Sequence, residues 1–271
     1  MGLARTVLPG LIAAAAAALA APPPVAAGLA PHRAAYRLSL ADSERSLDLV
    51  RADGVLGIEW RIACDGWLSR QFLAFKAHTQ EGEELSYDVR FSSWESSDNR
   101  RLRFTVRRFD EGGRIDEEFR GEAVLENAGA TGGGVARFTA PETRTVPLPP
   151  GTIFPTEHMQ TVLASARSGE RLVSHAVFDG SGFDALTQVT AVIGRPRADG
   201  KPEEEKEDAR QRSWPVSMAY YDAAKGDDLP DFEVAFVLDD DGVLRELVLD
   251  YGEFRLNAVL EDLERLPPPD C

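Results

Sequence analysis

Few residues in this chain have the types and spacing that chemistry requires. A hydrolase triad needs a nucleophile, a histidine and an orienting carboxylate. The four histidines, His32, His78, His158 and His175, stand in no catalytic motif. Ser181, in Asp179-Gly180-Ser181-Gly182, departs from the Gly-x-Ser-x-Gly of a nucleophile elbow and reads as a strand-ending loop. Asp239-Asp240-Asp241-Gly242 has carboxylates enough for calcium. It lacks the longer loop and distant bidentate glutamate of a calcium hand. Between Phe236-Val237-Leu238 and Val243-Leu244 it reads as a hairpin turn. Acidic pairs for glycoside cleavage cannot be picked out, because only their separation in space would identify them. Trp60, Trp67, Trp94 and Trp214 are expected in a core or on its rim. The sequence offers no catalytic residue, no cofactor motif and no metal site, so a non-enzyme is expected.

The cysteines carry a structural expectation instead. Cys64 and Cys271 are the only two in the chain. In an exported protein they form one disulfide, since the periplasm and the extracellular space are oxidising. Without Cys-x-x-Cys, thiol–disulfide exchange has no support. Two isolated thiols and scattered histidines show no zinc-ligand spacing. Cys64 ends an alternating stretch on its apolar face, and Cys271 ends a proline-stiffened tail.

The N-terminus supplies the compartment. Residues 1–27 carry Arg5, an alanine-rich apolar run from Leu8 through Leu19, a break at Pro22-Pro23-Pro24, and small residues at Val25-Ala26-Ala27. This is the order of a secretory signal peptide. A membrane span needs about 20 consecutive apolar residues, and the prolines end this run too early. No second long apolar stretch follows, so no transmembrane segment is expected in residues 28–271. The formal charge is −15, and loss of Arg5 makes the mature chain more acidic still. An acidic surface repels phosphate backbones, which disfavours nucleic acid as a partner.

The remaining elements read mainly as strands. In Ile58-Glu59-Trp60-Arg61-Ile62-Ala63-Cys64 and in Arg101–Phe109, apolar and polar residues alternate with the period-two pattern of a half-buried strand. Phe254, Leu256, Ala258 and Leu260 continue that pattern near the C-terminus. Asp53-Gly54, Asp65-Gly66, Gly112-Gly113, Asp199-Gly200 and Asp241-Gly242 fall between such runs as turns. The count of runs, about a dozen or more, predicts an all-β sandwich or barrel within one domain of 28–271. One helix is expected after Phe154-Pro155, with Thr156 as N-cap, Met159, Val162, Leu163 and Ala166 on its apolar face, and Gly169 at its end. That helix covers an opening or a face of the β structure, its stripe being ordinary core. The preceding proline-rich connection, Val146 to Gly151, cannot continue a central strand. Residues 126–134 and 195–212 read as surface loops.

Several stretches, taken in order, carry a resemblance. They are Ala30-Pro31-His32-Arg33-Ala34-Ala35-Tyr36-Arg37-Leu38, Cys64-Asp65-Gly66-Trp67, Leu148-Pro149-Pro150-Gly151-Thr152-Ile153-Phe154-Pro155-Thr156-Glu157-His158 and Val177-Phe178-Asp179-Gly180-Ser181. Trp214-Pro215-Val216-Ser217, Asp250-Tyr251-Gly252-Glu253-Phe254 and the terminal Leu266-Pro267-Pro268-Pro269-Asp270-Cys271 follow. Together they resemble the EipB family of periplasmic cell-envelope integrity proteins. The resemblance implies a many-stranded, antiparallel, spiral-like open β-barrel with one associated helix, located in the periplasm. It maps the family's cysteine pair onto Cys64 and Cys271 and supplies no enzymatic residues. The expected function is non-enzymatic support of the envelope through contacts with a protein or a peptide. The alternative is a carrier or sensor that holds a lipid or other hydrophobic ligand in the open barrel, since barrels of adequate size can enclose one.

Overall fold

The computed structural model describes residues 28–41, 49–126, 132–198, 212–222 and 229–271. Residues 1–27, expected to be a secretory signal peptide, the Asp199-Gly200 pair and most of the charged segment 195–212 lie outside the described residues.

Alternating stretches become strands where one face can be buried. The first eight are β1 (His32–Leu40), β2 (Leu49–Ala63), β3 (Gly66–Thr79), β4 (Glu84–Ser96), β5 (Arg101–Phe109), β6 (Ile115–Leu125), β7 (Gly134–Ala140) and β8 (Arg144–Leu148). The short β9 (Thr152–Ile153) leads into helix α1 (Pro155–Ser168). There follow β10 (Leu172–Phe178), β11 (Leu186–Ile193), β12 (Arg197–Ala198), β13 (Arg212–Asp222), β14 (Phe232–Asp239), β15 (Leu244–Asp250) and β16 (Arg255–Arg265). On β5 the pattern is plain: Leu102, Phe104 and Val106 are buried, while Arg101, Arg103 and Arg107 are exposed.

The strands form one sheet in the order β8-β7-β6-β5-β4-β3-β2-β1-β16-β15-β14-β13-β11-β10-β9, with β12 beside β13. The pairings are antiparallel except that of β9 with β10. The first and last strands, β1 and β16, therefore lie side by side in mid-sheet. Its two edges, β8 and β9, are consecutive in sequence and joined by Pro149-Pro150-Gly151. Pro147 within β8 lacks an amide to donate, which suits an edge strand. The connection expected to be unable to continue a central strand thus marks where the sheet stops.

Rolling of the sheet brings these edges together. Phe104 on β5 lies 5.8 Å, ring centre to ring centre, from Phe178 on β10, although many strands separate them in the sheet order. Phe138 on β7 packs 4.9 Å from Phe183 in the β10–β11 loop. Bulges bend the strands, at Ala35/Tyr36 in the β1–β16 pairing and between Ala235 and Val237 in the β14–β15 pairing. The result is a nearly closed, spiral-like antiparallel barrel with one helix, as expected. One buried cluster joins β1–β3, α1 and β10–β16, and a second fills the turn of the spiral around Phe104 and Phe138.

Local expectations differ from the structure in three places. Asp53-Gly54 lies inside β2 and makes no turn. A Cβ on Gly54 would come within 2.4 Å of the Phe75 Cβ, so the glycine serves close strand packing. Cys64 opens the β2–β3 turn and is exposed, because β2 ends at Ala63. The helix N-cap is Phe154, and no side chain of its own caps it. Thr156 instead sits one residue into the helix, which ends as expected at Gly169, φ 87°.

Candidate functional site

The rolled sheet encloses a cavity of about 470 Å³. Inward-facing positions of β2, β13, β14 and β15 give it apolar walls, among them Leu56, Ile58, Met218, Val234 and Leu249. Gln71, His158, Asp179, Ser181 and the tyrosines Tyr87, Tyr220 and Tyr251 interrupt them. No lysine or arginine is among the described residues that line it. A ladder of rings runs along one side of the molecule. Tyr87 stacks on Phe75 at 5.3 Å, Phe75 meets Phe254 at 6.0 Å, and Phe254 stacks on Tyr251 at 4.9 Å. Phe232 and Tyr220 continue it at 5.0 and 5.4 Å. Tyr87 remains 39% exposed, so this end reaches solvent.

Helix α1 delivers His158 into the cavity and is held from outside itself. Glu95 on β4 is an inward-facing carboxylate with 1% exposure. It accepts the Thr156 backbone N–H at 2.9 Å and the Thr156 hydroxyl at 2.6 Å. A carboxylate at a helix N-terminus satisfies orphan donors and complements the helix dipole. Burial nevertheless outweighs these bonds and pushes the Glu95 carboxyl up to about 7. At the other end of α1, Arg167 binds Asp240 at 2.6 Å. Val162, Leu163 and Ala166 face the core as the helical spacing predicted, and Met159 packs against the same core while also lining the cavity.

His158 is 4% exposed, and neither of its ring nitrogens has a hydrogen-bond partner. Burial, with His175 nearby, lowers its pKa to about 4, so the ring is neutral near pH 7. The His175 ring lies 5.8 Å away on β10, with its own Nδ1 unpartnered. Asp179 follows the same strand, in the β10–β11 loop. It accepts the Ser181 backbone N–H at 2.8 Å, while burial pushes its carboxyl upward. Tyr220 is raised to about 12, mostly by burial and partly by Asp179.

Residues weighed from the sequence are thus partly gathered. Asp179, Ser181 and His158 share a cavity, but Asp179 accepts the Ser181 backbone N–H and no nucleophile–base bond reaches His158. His32 is buried on β1 with Nδ1 2.8 Å from the Ala30 carbonyl, and His78 lies apart on β3. Asp239 ends β14 and Asp240 and Asp241 open the β14–β15 turn, and each carboxylate pairs with arginine: Arg245, Arg167 and Arg265. Trp60 lines the cavity and Trp214 is core, whereas the Trp94 indole donates to Asp65 on the outside. Cys64 and Cys271 are disulfide-bonded with their Cα atoms 5.8 Å apart. The contact between Glu95 and Thr156 and the meeting of His158 with His175 were not anticipated. A signal existed for the first: Ser93 and Glu95 occupy inward positions of an otherwise apolar face. The second links residues 17 apart through helix and strand, which no local pattern encodes.

The family model for EipB-like proteins matches residues 24–267. The chain belongs to the EipB-like family. It is 29% identical over 241 residues to the cell envelope integrity protein EipB of Brucella abortus (strain 2308), covering 87% of this chain and 84% of that protein. It is also similar to the crystal structure of a beta-barrel-like protein of a domain of unknown function from Brucella abortus. That likeness has a TM-score of 0.77 at 27% identity, over 89% of this chain and 99% of the other. Among the described residues of this EipB-like chain, no helix is long and apolar enough to cross a membrane.

Proposed function

We propose that this protein works in the periplasm as a single, non-enzymatic domain over residues 28–271. In this reading it supports envelope integrity by holding a hydrophobic envelope molecule inside its rolled sheet. The envelope role is carried over from the related Brucella abortus protein, whose name states it. Periplasmic placement is supported by the secretory pattern of residues 1–27 and by the disulfide, a bond that persists in oxidising compartments. The observation that carries the ligand is the cavity itself. Its size falls within the roughly 300–1,000 Å³ usual for small-molecule sites, and its walls are largely aliphatic and aromatic. The lack of a nucleophile–base contact favours binding over turnover.

Contacts with an envelope protein or peptide have separate support on the outer face of the sheet. Val55, Phe72 and Val259 are exposed on β2, β3 and β16, close to one another through the β1 register. Mass spectrometry of solvent extracts from natively purified protein separates the readings. A reproducible co-purifying lipid, displaced by the neutral fluorophore N-phenyl-1-naphthylamine, supports ligand holding. An empty extract and a fluorophore that fails to bind overturn it and leave crosslinking to identify a protein partner.

A further inference from the structure

We propose that the cavity receives the uncharged end of a single-chain amphiphile, with a hydroxyl group seated against His158. This rests on the ligand-holding reading and narrows it to one chemical class.

Charge comes first. An ionised headgroup taken into a cavity loses its hydration and needs a partner there. With no lysine or arginine among the described lining residues, a carboxylate or phosphate finds no partner among them. A cationic head would meet Asp179, but that carboxyl already accepts the Ser181 backbone N–H and is pushed by burial toward the neutral acid. Tyr87, Tyr220 and Tyr251 supply neutral phenols. Nothing in the described lining compensates a full charge well.

Hydrogen bonding comes second. Buried polar atoms in folded proteins are nearly always paired, yet both His158 nitrogens are unpaired. A neutral imidazole offers one donor and one acceptor, and a hydroxyl can answer either. His175, with Nδ1 also unpaired, widens the same polar patch. Of the other titratable groups near the start of α1, Glu95 is occupied with Thr156, while Glu157 is raised by burial and keeps one oxygen, Oε2, unpartnered.

Room comes third. A volume of about 470 Å³ lies in the lower half of the usual range, enough for one alkyl chain and not for a bulky multi-chain lipid. The ladder of rings from Tyr87 to Tyr220 offers apolar surface along which such a chain can lie.

The test uses oxidised protein purified from the periplasm, loaded with N-phenyl-1-naphthylamine and titrated with three twelve-carbon probes. These are monolauroylglycerol, laurate at pH 8, and dodecyltrimethylammonium. Monolauroylglycerol should displace the fluorophore at a concentration about tenfold or more below that of either ion, as an unpaired buried charge requires. His158→Phe should lower the affinity for monolauroylglycerol relative to that for the fluorophore, each measured directly on the variant, by about tenfold, the worth of a strong buried hydrogen bond. His158→Gln, which keeps a donor and an acceptor, should restore part of the loss. Equal displacement by laurate or by the ammonium probe overturns the proposal, as does a ratio of monolauroylglycerol to fluorophore affinity unchanged in His158→Phe. If neither fluorophore nor probe binds, the ligand-holding reading itself falls.

Discussion

Two buried groups on or beside α1 respond to pH in opposite senses. Glu95 is pushed up to about 7 by burial, so the folded state holds its proton more tightly than the unfolded chain, where the value is 4.5. Its contribution is fully present below about pH 4.5 and is lost as pH rises through 7, a change on the order of 3 kcal/mol. His158 is lowered to about 4 from 6.5, so the unfolded chain binds the extra proton. That contribution is present above about pH 6.5 and is lost as pH falls through 4, again on the order of 3 kcal/mol. The two slopes offset one another between pH 4.5 and 6.5, leaving the wild-type profile nearly flat there. Urea titrations at half-unit pH intervals should unmask them. Relative to Glu95→Gln, the wild type should lose stability from pH 4.5 to 7. Relative to His158→Phe, it should gain stability from pH 4 to 6.5. Profiles that stay parallel would show that neither group is desolvated in the folded state.

At the scale of elements, the loop after β10 shows how backbone and core depend on each other. Gly180 has φ 80°, and a Cβ there would lie 2.3 Å from Cγ of the buried Phe104 ring. An L-residue meets an unfavourable backbone conformation and an overpacked neighbour together. Gly180→Ala should therefore cost about 2–4 kcal/mol in denaturant unfolding, adding left-handed strain to overpacking. It should also weaken fluorophore binding, because the loop carries Asp179 and Ser181 into the cavity. A variant of wild-type stability would mean that the loop is not packed against β5. Strands were legible in the sequence where alternation was strict: Arg101–Phe109 is β5 to the residue. Asp53-Gly54 was misleading because a glycine signals a turn and a close strand approach equally well. Only Phe75, distant in sequence, distinguishes the two.

For the whole molecule, the disulfide joins the C-terminal tail to the β2–β3 turn across a sequence separation of 207 residues. The tail passes the end of β1, where the Leu266 N–H donates to the Pro31 carbonyl. In the chain-entropy model a loop this long contributes about 5 kcal/mol, although measured disulfides usually give about 2–4. Cys64→Ser should lower the melting temperature accordingly while leaving the sheet's circular dichroism unchanged below the transition. Peptide mapping without reductant should recover Cys64 and Cys271 in one linked pair. Two free thiols in periplasmic material would overturn the assignment of the bond.

The sequence by itself determined the strand-rich class, the helix, the secretory pattern and the availability of two cysteines for one bond. Each of these is written in local periodicity, turn chemistry or a simple count. The order of residues also carried the family resemblance. Only the tertiary structure decided that β1 and β16 meet in mid-sheet, that the edges β8 and β9 come together, and that a cavity lies between. It placed His158 unpaired within that cavity and Glu95 against the helix start. These are contacts between residues far apart in the chain, and they follow from how a bulged, twisted sheet rolls, which no stretch of neighbouring residues specifies.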